Sequence, residues 1–344
     1  MGGVLEGLMA GQADVPLEDW RSFWDRLEAG GVDRGEAVAL LSSLATRLPD
    51  HGTLCGLLAS FDERRPAAPR HWANAVNIVG TGGGPRTFNI STASAFVAAA
   101  AGVPVVKTGS RAYTSKVGSI DLLERLGIGL TKSHADTEES LDRFGLAFAG
   151  QFVYPTVLTR LARTILPTSM RWFGRFLNTV GPFLAGLPVA AQVTGVSAAA
   201  PLARLRQLTG EVENRAIWLC TNDVGADELL GFANNVIHTG GGEIWLPRGK
   251  HTSGTGTLAA VASGEGDPVA GFLDVLAGTA GEVATETVCL NAAAMAVASG
   301  LVDSWEQAIA DALRAVRDGA ALDLVERMRS PRRRAAPVRA VANG

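Results

Sequence analysis

The sequence predicts an α/β protein in which a small all-α domain precedes a larger domain built on a mostly parallel sheet. Three observations lead to this prediction. Apolar residues recur at helical spacing through residues 16–65, a Pro-rich linker follows at 64–69, and strand, loop and helix patterns alternate from residue 75 onward. Such alternation is typical of a parallel sheet with helices packed against it.

The predicted helical domain contains three helices. Pro16–Asp19 has the composition of a helix start, and Trp20 and Trp24 follow on one helical face. Two further periodic stretches cover Ala37–Leu48 and Leu54–Phe61. The domains we expect are a helical domain over 1–70 with a hinge contribution from about 160–182, an α/β domain over 71–330, and a basic tail over 331–344.

The predicted α/β domain begins with a short strand at Val76–Val79, a glycine-rich loop and a long Ala-rich helix at Thr92–Ala101. The strand Val103–Lys107 follows, and after another loop comes a helix at Ser119–Leu126. The stretch 145–182 shows no clear pattern. The later elements we expect are strands at Ala190–Val196, Ile217–Cys220 and Glu243–Leu246 and helices at Thr287–Ser299 and Ser304–Arg317.

Composition narrows the class of protein. Of 344 residues, 47% are hydrophobic and 19% are charged, which is typical of a globular chain. The net charge of -3 argues against nucleic-acid binding, because neutralising phosphates requires a basic surface. Three widely spaced cysteines predict free thiols in a reducing cytoplasm. We find neither a signal peptide nor an apolar run long enough for a membrane span, so we expect a cytoplasmic protein.

The loop Gly80–Gly84 carries four glycines in five positions directly after a predicted strand. Glycines let the backbone turn sharply, so that its N–H groups can converge on an anion. The next helix begins near Asn89, and its N-terminal end favours a phosphate, with Ser91 and Thr92 as further donors. The glycine spacing fits neither a dinucleotide fingerprint nor a P-loop. The loop therefore predicts a phosphate site.

Two further segments contain candidate ligand-binding side chains. The loop Lys107–Ser119 interleaves cations, hydroxyls and glycines, and it also joins a strand to a helix, so we expect it at the same edge of the sheet. The adjacent carboxylates Asp227 and Glu228 are typical of a helix start, or of a Mg²⁺ site if a diphosphate lies beside them.

These motifs together resemble the anthranilate phosphoribosyltransferase family from about Leu17 to Met328. The segments that carry the resemblance are VGTGG, TFNISTASAFVAAAAG, the Lys107–Asp121 block, GADEL and CLNAAAMAVASG. The resemblance implies a nucleoside phosphorylase-like fold that dimerises through its helical domain, with the active site at the hinge. It also implies phosphoribosyl diphosphate (PRPP) as the donor, Mg²⁺, two ions in number, as the cofactor, and no protein nucleophile.

The resemblance also implies roles for individual residues. Donor binding is expected of Gly80, Thr81, Gly82, Gly83, Thr87, Asn89, Ser91, Thr92, Lys107, Ser115 and Ser119. Metal binding is expected of Ser91, Asp227 and Glu228. Acceptor binding is expected of Thr108, Gly109, Ser110, Tyr154 and Arg171, with Arg163 as the second candidate for the arginine that holds a carboxylate.

The chain departs from the family at several of these positions. Gly84 replaces an Asp in a loop that is one residue shorter, Thr108 and Ser110 replace a His and an Asn, and Tyr154 replaces a His. Because most changes fall on the acceptor side, we expect the same reaction on an aromatic acceptor other than anthranilate. The alternatives are anthranilate itself, phosphorolysis of a nucleoside, and a non-catalytic nucleic-acid binder.

Overall fold

The computed structural model describes residues 3–11, 14–65, 70–109, 118–264 and 266–329. The helices are α1 Val4–Met9, α2 Leu17–Glu28, α3 Arg34–Thr46, α4 His51–Asp62, α5 Ile90–Ala100, α6 Ser119–Leu126, α7 His134–Phe144, α8 Thr156–Thr164, α9 Gly174–Leu184, α10 Leu202–Thr209, α11 Pro268–Leu276, α12 Glu282–Ala298, α13 Trp305–Arg317 and α14 Ala320–Met328. The strands are β1 Trp72–Gly80, β2 Val105–Lys107, β3 Leu146–Phe148, β4 Val189–Gly195, β5 Ala216–Asn222, β6 Asn235–Thr239 and β7 Gly242–Leu246.

The seven strands form one sheet in the order β3-β2-β1-β4-β5-β6-β7. The five strands from β3 to β5 are parallel, and β6 and β7 are antiparallel at one edge. This confirms the predicted fold class and shows that the sheet is mixed. Thr239 pairs with Gly242 around the two-residue turn Gly240–Gly241, and such a short turn can only join antiparallel strands.

The order of the strands reverses beside β1. The chain leaves β1 through α5 towards β2 on one side, and β4 later pairs with β1 on the other side. In open α/β sheets, ligands bind in the crevice at the carboxyl ends of the strands where the order reverses. The loops after β1 and β4 therefore occupy the expected position of a binding site.

Helices α5 and α12 form the centre of the core that covers this part of the sheet. Ala95 and Ala98 on α5 and Ala293 and Ala294 on α12 are fully buried. Small side chains let the two helices and the strands approach closely, which fixes the position of the helix ends near the crevice. The predicted start of α5 near Asn89 and the predicted Ser304 cap of α13 are both confirmed.

The N-terminal helices form a second core together with α8 and α9. Trp20 and Trp24 are buried and stacked there, with ring centroids 5.9 Å apart. Leu205 of α10 and Ile217 of β5 belong to the same core, so the helical group is continuous with one side of the sheet. The predicted domain boundaries therefore stay a prediction.

The stretch 145–182, which carried no clear pattern, folds into β3, a short 3-10 turn, α8, a second 3-10 turn and most of α9. The predicted helices of the N-terminal region are confirmed as α2, α3 and α4, with ends that differ by a few residues. Most of the predicted linker, residues 66–69, and the predicted basic tail, 331–344, lie outside the described residues.

Candidate active site

The glycine loop follows β1 at the point where the strand order reverses. Gly80 pairs with Gly195 at the end of β4, and the Thr81 N–H donates to the Gly195 carbonyl over 2.8 Å. Gly82 and Gly83 have φ values of 71° and 81°, a conformation that favours glycine. The predicted turn is therefore present, at the carboxyl ends of β1 and β4.

Ser197, just after β4, holds the loop in place. Its N–H donates to Thr81 Oγ1 over 3.1 Å, and its hydroxyl donates to the Gly82 carbonyl over 2.7 Å. Asn178 on α9 also lies beside the loop, because a Cβ added to Gly82 would be 3.3 Å from Asn178 Nδ2. Sequence reasoning missed both residues, since neither lies in a glycine-rich or charged motif.

The two predicted carboxylate ligands lie in the β5–β6 connection, and the first of them reaches the glycine loop. Asp227 Oδ2 accepts a hydrogen bond from the Gly82 N–H over 2.8 Å. A side chain at Gly80 or Gly195 would collide with Asp227, so both glycines provide the room for this approach. The structure thus brings Asp227 against the predicted phosphate loop, although 145 positions separate it from Gly82.

Glu228 lies beside Asp227 and is incompletely satisfied. Its Oε1 accepts from the Thr87 hydroxyl over 2.9 Å, whereas its Oε2 is buried and has no partner among the described residues. Burial raises the pKa of the Asp227 carboxyl, and burial together with the Asp227 carboxylate raises the pKa of Glu228 well above its ordinary value. Two partly buried carboxylates, one with a buried oxygen that has no partner among the described residues, match the ligands that Mg²⁺ prefers.

Three asparagine side chains hold the segment that carries the two carboxylates. Asn222 donates to the carbonyls of Ala226 and Glu228. Asn291, on α12, accepts from the Leu229 N–H over 3.1 Å and donates to the Leu229 carbonyl over 2.8 Å, and Asn235 does the same for Leu230. Sequence reasoning missed these positioning residues, although Asn291 was visible as a polar residue inside an apolar helix.

The departure at Gly84 lies against the same carboxylates. A Cβ at this position would be 3.2 Å from Asp227 Oδ1 and 3.2 Å from the Gly225 carbonyl oxygen. An acidic side chain here would add negative charge beside Asp227, so glycine lowers the repulsion around the carboxylate pair.

The remaining donor-side predictions fall around the start of α5. Thr92 is fully buried, and its hydroxyl oxygen has no partner among the described residues, whereas Ser91 is partly exposed. Thr87 is tied to the turn before α11, because its carbonyl accepts from the Ser263 hydroxyl over 2.6 Å. Asn89 is the N-cap residue of α5. Direct contact between these residues and a phosphate stays a prediction.

Lys107 ends β2 and is buried, with 3% of its surface exposed. Its ammonium donates to the Ile78 carbonyl over 2.9 Å and to the Thr108 carbonyl over 3.3 Å. Burial lowers the pKa of Lys107 to about 7. Gly109 leaves room for Ser119, because an added Cβ would be 2.5 Å from Ser119 Oγ. The structure therefore brings Lys107, Gly109 and Ser119 together.

The predicted acceptor residues are only partly assembled. The Tyr154 side chain lies close to that of Thr108, and burial raises the pKa of Tyr154. Asn77 Oδ1 accepts from the Thr108 N–H over 3.2 Å, so this pair is fixed to β1. Arg171 and Arg163 are both exposed, and neither guanidinium has a partner in the part of the chain that the structure describes. Ser110 and Ser115 lie outside the described residues.

Among the described residues, no helix is both long enough and apolar enough to cross a bilayer.

Both the sequence and the fold are similar to those of known proteins. Residues 73–322 match the family described as glycosyl transferase family, a/b domain. The anthranilate phosphoribosyltransferase of Cenarchaeum symbiosum is 33% identical over 307 residues, which cover 87% of this chain and 88% of that protein.

Solved structures give the same likeness. Anthranilate phosphoribosyltransferase from Thermus thermophilus superposes with a TM-score of 0.76 at 27% identity, covering 94% of this chain and 97% of that chain. The enzyme of the same name from Saccharomyces cerevisiae, solved in complex with PRPP and Mg, has a TM-score of 0.71 at 19% identity and covers 91% of both chains. At that identity the second likeness concerns the fold alone.

Proposed function

The chain belongs to the anthranilate phosphoribosyltransferase family and is a phosphoribosyltransferase, and from this premise we propose that it transfers phosphoribose from PRPP to the amino group of anthranilate. The observation that carries the proposal is the contact between the glycine loop and Asp227, where the strand order reverses. A phosphate-binding backbone and a carboxylate pair at one place suit a diphosphate with its counterion.

Anthranilate as the acceptor differs from our expectation from the sequence. That expectation rested on substitutions at a few positions, whereas the similarity to anthranilate phosphoribosyltransferases covers most of the chain. The relatives therefore support anthranilate at least as well as another aromatic acid, and we take it as the first candidate.

The carboxylates fit the metal that the family implies. Glu228 Oε2 is buried without a partner, and burial disfavours both carboxylates in their charged form. A divalent cation held by Asp227 and Glu228, with Ser91 as a further ligand, would satisfy both. When bound, Mg²⁺ supplies positive charge that neutralises the diphosphate. A second ion is part of the proposal only through the resemblance.

The chain's own residues perform the remaining tasks. We propose that the N–H groups of the glycine loop and the start of α5 hold the diphosphate as the bond between ribose C1 and its oxygen breaks, because they favour growing negative charge. The amino nitrogen of the acceptor then bonds to C1 and loses one proton. The loop and helix are fixed by Ser197 and the α5–α12 core, so they need little rearrangement during the reaction.

A second candidate is transfer to a different aromatic acceptor. The observation that favours it is that the Tyr154 side chain lies close to that of Thr108, because both are positions at which the chain departs from the family motif. Two imidazoles are replaced there by a neighbouring phenol and hydroxyl. This changes the polar groups that an acceptor meets, and polar groups discriminate sharply between substrates.

A turnover panel distinguishes the two candidates. The protein is incubated with PRPP, Mg²⁺ and a series of aromatic acids and amines, and mass spectrometry detects the gain of phosphoribose. We expect anthranilate to have the highest kcat/KM of the panel. Conversion of another acceptor with anthranilate left unreacted would replace the first candidate with the second. Release of free phosphoribose in the absence of any acceptor would contradict both.

Homodimerisation, which the resemblance implies, remains part of the proposal. The large apolar side chains of Trp172, Leu166 and Met9 are 80%, 63% and 73% exposed in the single chain. Their exposure is consistent with a surface on the helical side of the molecule that a second subunit covers. Sedimentation equilibrium tests it, and a monomer at micromolar concentration would contradict it.

A further inference from the structure

His51, Cys55 and Glu211 form a cluster of metal-ligating side chains that the proposed function does not use. His51 is the first residue of α4 and Cys55 lies one turn later, so the two side chains share a face of the helix. Glu211 follows α10 and reaches the same place. The ligand atoms of these three residues all lie within 4.8 Å of one another.

The distances within the cluster suit a tetrahedral metal ion. Cys55 Sγ is 3.4 Å from His51 Nε2, and the same nitrogen is 3.3 Å from Glu211 Oε1. Around zinc, bonds of about 2.3 Å to sulfur and about 2.0 Å to nitrogen or oxygen place neighbouring ligand atoms roughly 3.3–3.5 Å apart. The side chains therefore already have the spacing of a bound set.

The charges around the thiol also favour a cation. The carboxylates of Glu211 and Asp14 both lie near the Cys55 thiol. Asp14 packs against Gly52, beside His51, where any side chain at residue 52 would collide with it. Negative charge disfavours a bare thiolate but attracts a metal ion, and binding the ion releases the thiol proton.

The cluster is accessible and separate from the candidate active site. The side chains of His51 and Glu211 are 36% and 50% exposed, so an ion can enter from solvent. Glu211 lies in the connection that leads from α10 to the start of β5, whereas the glycine loop follows the carboxyl end of β1. The two sites are therefore at opposite ends of the parallel strands.

We propose that His51, Cys55 and Glu211 bind a zinc ion that fastens α4 to the connection between α10 and β5. The fourth position is open to water or to the carboxylate of Asp14. The site is structural, because it joins an N-terminal helix to the sheet, and it does not depend on the proposed transfer reaction.

Cobalt spectroscopy tests the proposal on the full-length, reduced and chelator-treated protein. Co²⁺ is titrated in the presence of Mg²⁺, which occupies the oxygen-ligand sites. We expect one equivalent of Co²⁺ to give a near-ultraviolet sulfur-to-cobalt band that Zn²⁺ abolishes by displacement. The band should be absent in Cys55→Ser, need roughly tenfold more metal in Glu211→Gln, and be unchanged in the matched control Glu213→Gln.

Two further measurements are made on the native protein, so the proposal can be tested even if a variant does not fold. Zn²⁺ should protect Cys55 of the native chain from alkylation, read by mass spectrometry of its peptide, while Cys220 and Cys289 are buried and unreactive with or without metal. Zn²⁺ should also raise the melting temperature of the native protein and not that of Cys55→Ser. Absence of a thiolate band, a band that persists in Cys55→Ser, or unchanged alkylation of Cys55 would overturn the proposal.

Discussion

The donor side and the acceptor side of the candidate active site are built in different ways. On the donor side, the glycine loop, Thr87 and the carboxylate pair contact one another directly. On the acceptor side, the partly buried Tyr154 lies close to the buried Thr108, while Arg171 is exposed without a partner among the described residues. In the proposed function, phosphate recognition depends on backbone geometry that the fold fixes, whereas acceptor recognition depends on side chains from separate segments.

The largest effect should follow from removing the charge of the carboxylate pair. In Asp227→Asn with Glu228→Gln, we expect Mg²⁺-dependent binding of PRPP to be lost and kcat/KM to fall at least about 100-fold, or roughly 2.7 kcal/mol of activation free energy. Isothermal titration with PRPP and a steady-state assay measure the two quantities. Both changes preserve the shape of the side chains, so the glycine loop keeps its neighbours.

The matched control for this variant is Asp223→Asn. Asp223 lies in the same connection, but its carboxylate accepts from the N–H and the side chain of Asn234 and not from the glycine loop. We expect its PRPP affinity to stay within a factor of two or so of the native value. If the control loses as much affinity as the double variant, the loss reflects the shape of the connection, and the metal role fails.

A substitution on the acceptor side should raise the KM for the acceptor and leave the KM for PRPP unchanged. A guanidinium that holds a carboxylate contributes about 1.5–3 kcal/mol, so Arg171→Gln should raise the KM for anthranilate by roughly tenfold or more. Arg163→Gln is the matched control, since it removes a second exposed arginine of the same region. Steady-state kinetics with each substrate varied in turn gives both constants.

Three results of this pair of variants are informative. An effect confined to Arg171→Gln supports the predicted clamp, and an effect confined to Arg163→Gln transfers the role to the second candidate. If neither variant changes the KM for anthranilate, neither Arg171 nor Arg163 binds the carboxylate. Binding of the acceptor would then depend on the uncharged side chains of Tyr154 and Thr108, whereas the donor side depends on charged groups.

How much the sequence predicts follows the same division. The glycine loop, the start of α5 and the pair Asp227 and Glu228 could be predicted because each is a local pattern with a local physical reason. Ser197, Asn178 and Asn291 could not, because their roles come from contacts across the sheet or between helices. Strand β7 was predicted at Glu243–Leu246, but β6 was missed for another reason, since its strand pattern was short and the Gly240–Gly241 turn resembled an ordinary loop.

A change that strains the backbone of the glycine loop should affect the reaction less than removing the charge of the carboxylate pair. At φ 71°, an alanine at Gly82 is strained by about 1–2 kcal/mol, and its Cβ would also press on Asn178. If the loop shifts to relieve this strain, the KM for PRPP in Gly82→Ala should rise up to about tenfold. Substrate titrations at saturating anthranilate measure it.

The control is Gly30→Ala. Gly30 has a φ of 77°, and a Cβ added to it would have no atom within 4 Å. It follows α2 in the helical part of the molecule. The two variants should lose similar stability, because the backbone strain is similar, but only Gly82→Ala should bind PRPP more weakly. Equal KM values for PRPP in both variants would mean that the loop backbone does not contact the donor.

Lys107 joins the two sides, because its ammonium donates to a carbonyl before the glycine loop and to the carbonyl of Thr108. Its pKa is about 7 in the folded protein against an ordinary value of 10.5, so between these values the unfolded chain binds more protons. The free energy of unfolding should therefore rise with pH across this window, by at most about 1.4 kcal/mol per pH unit. Below pH 7 both states are protonated and the contribution is constant.

Lys107→Met isolates this contribution, because it keeps the apolar stem and removes the amine. Urea unfolding at pH 7.5 and 9.5 should show a rise in stability for the native protein that is smaller in Lys107→Met. Lys132→Met, which removes an exposed lysine, should keep the native slope. The loss of hydrogen bonds to the two carbonyls lowers the stability of Lys107→Met at every pH, so only the slope reports the buried charge. Equal slopes in all three proteins would mean that Lys107 is hydrated, and the buried link between donor and acceptor sides would be absent.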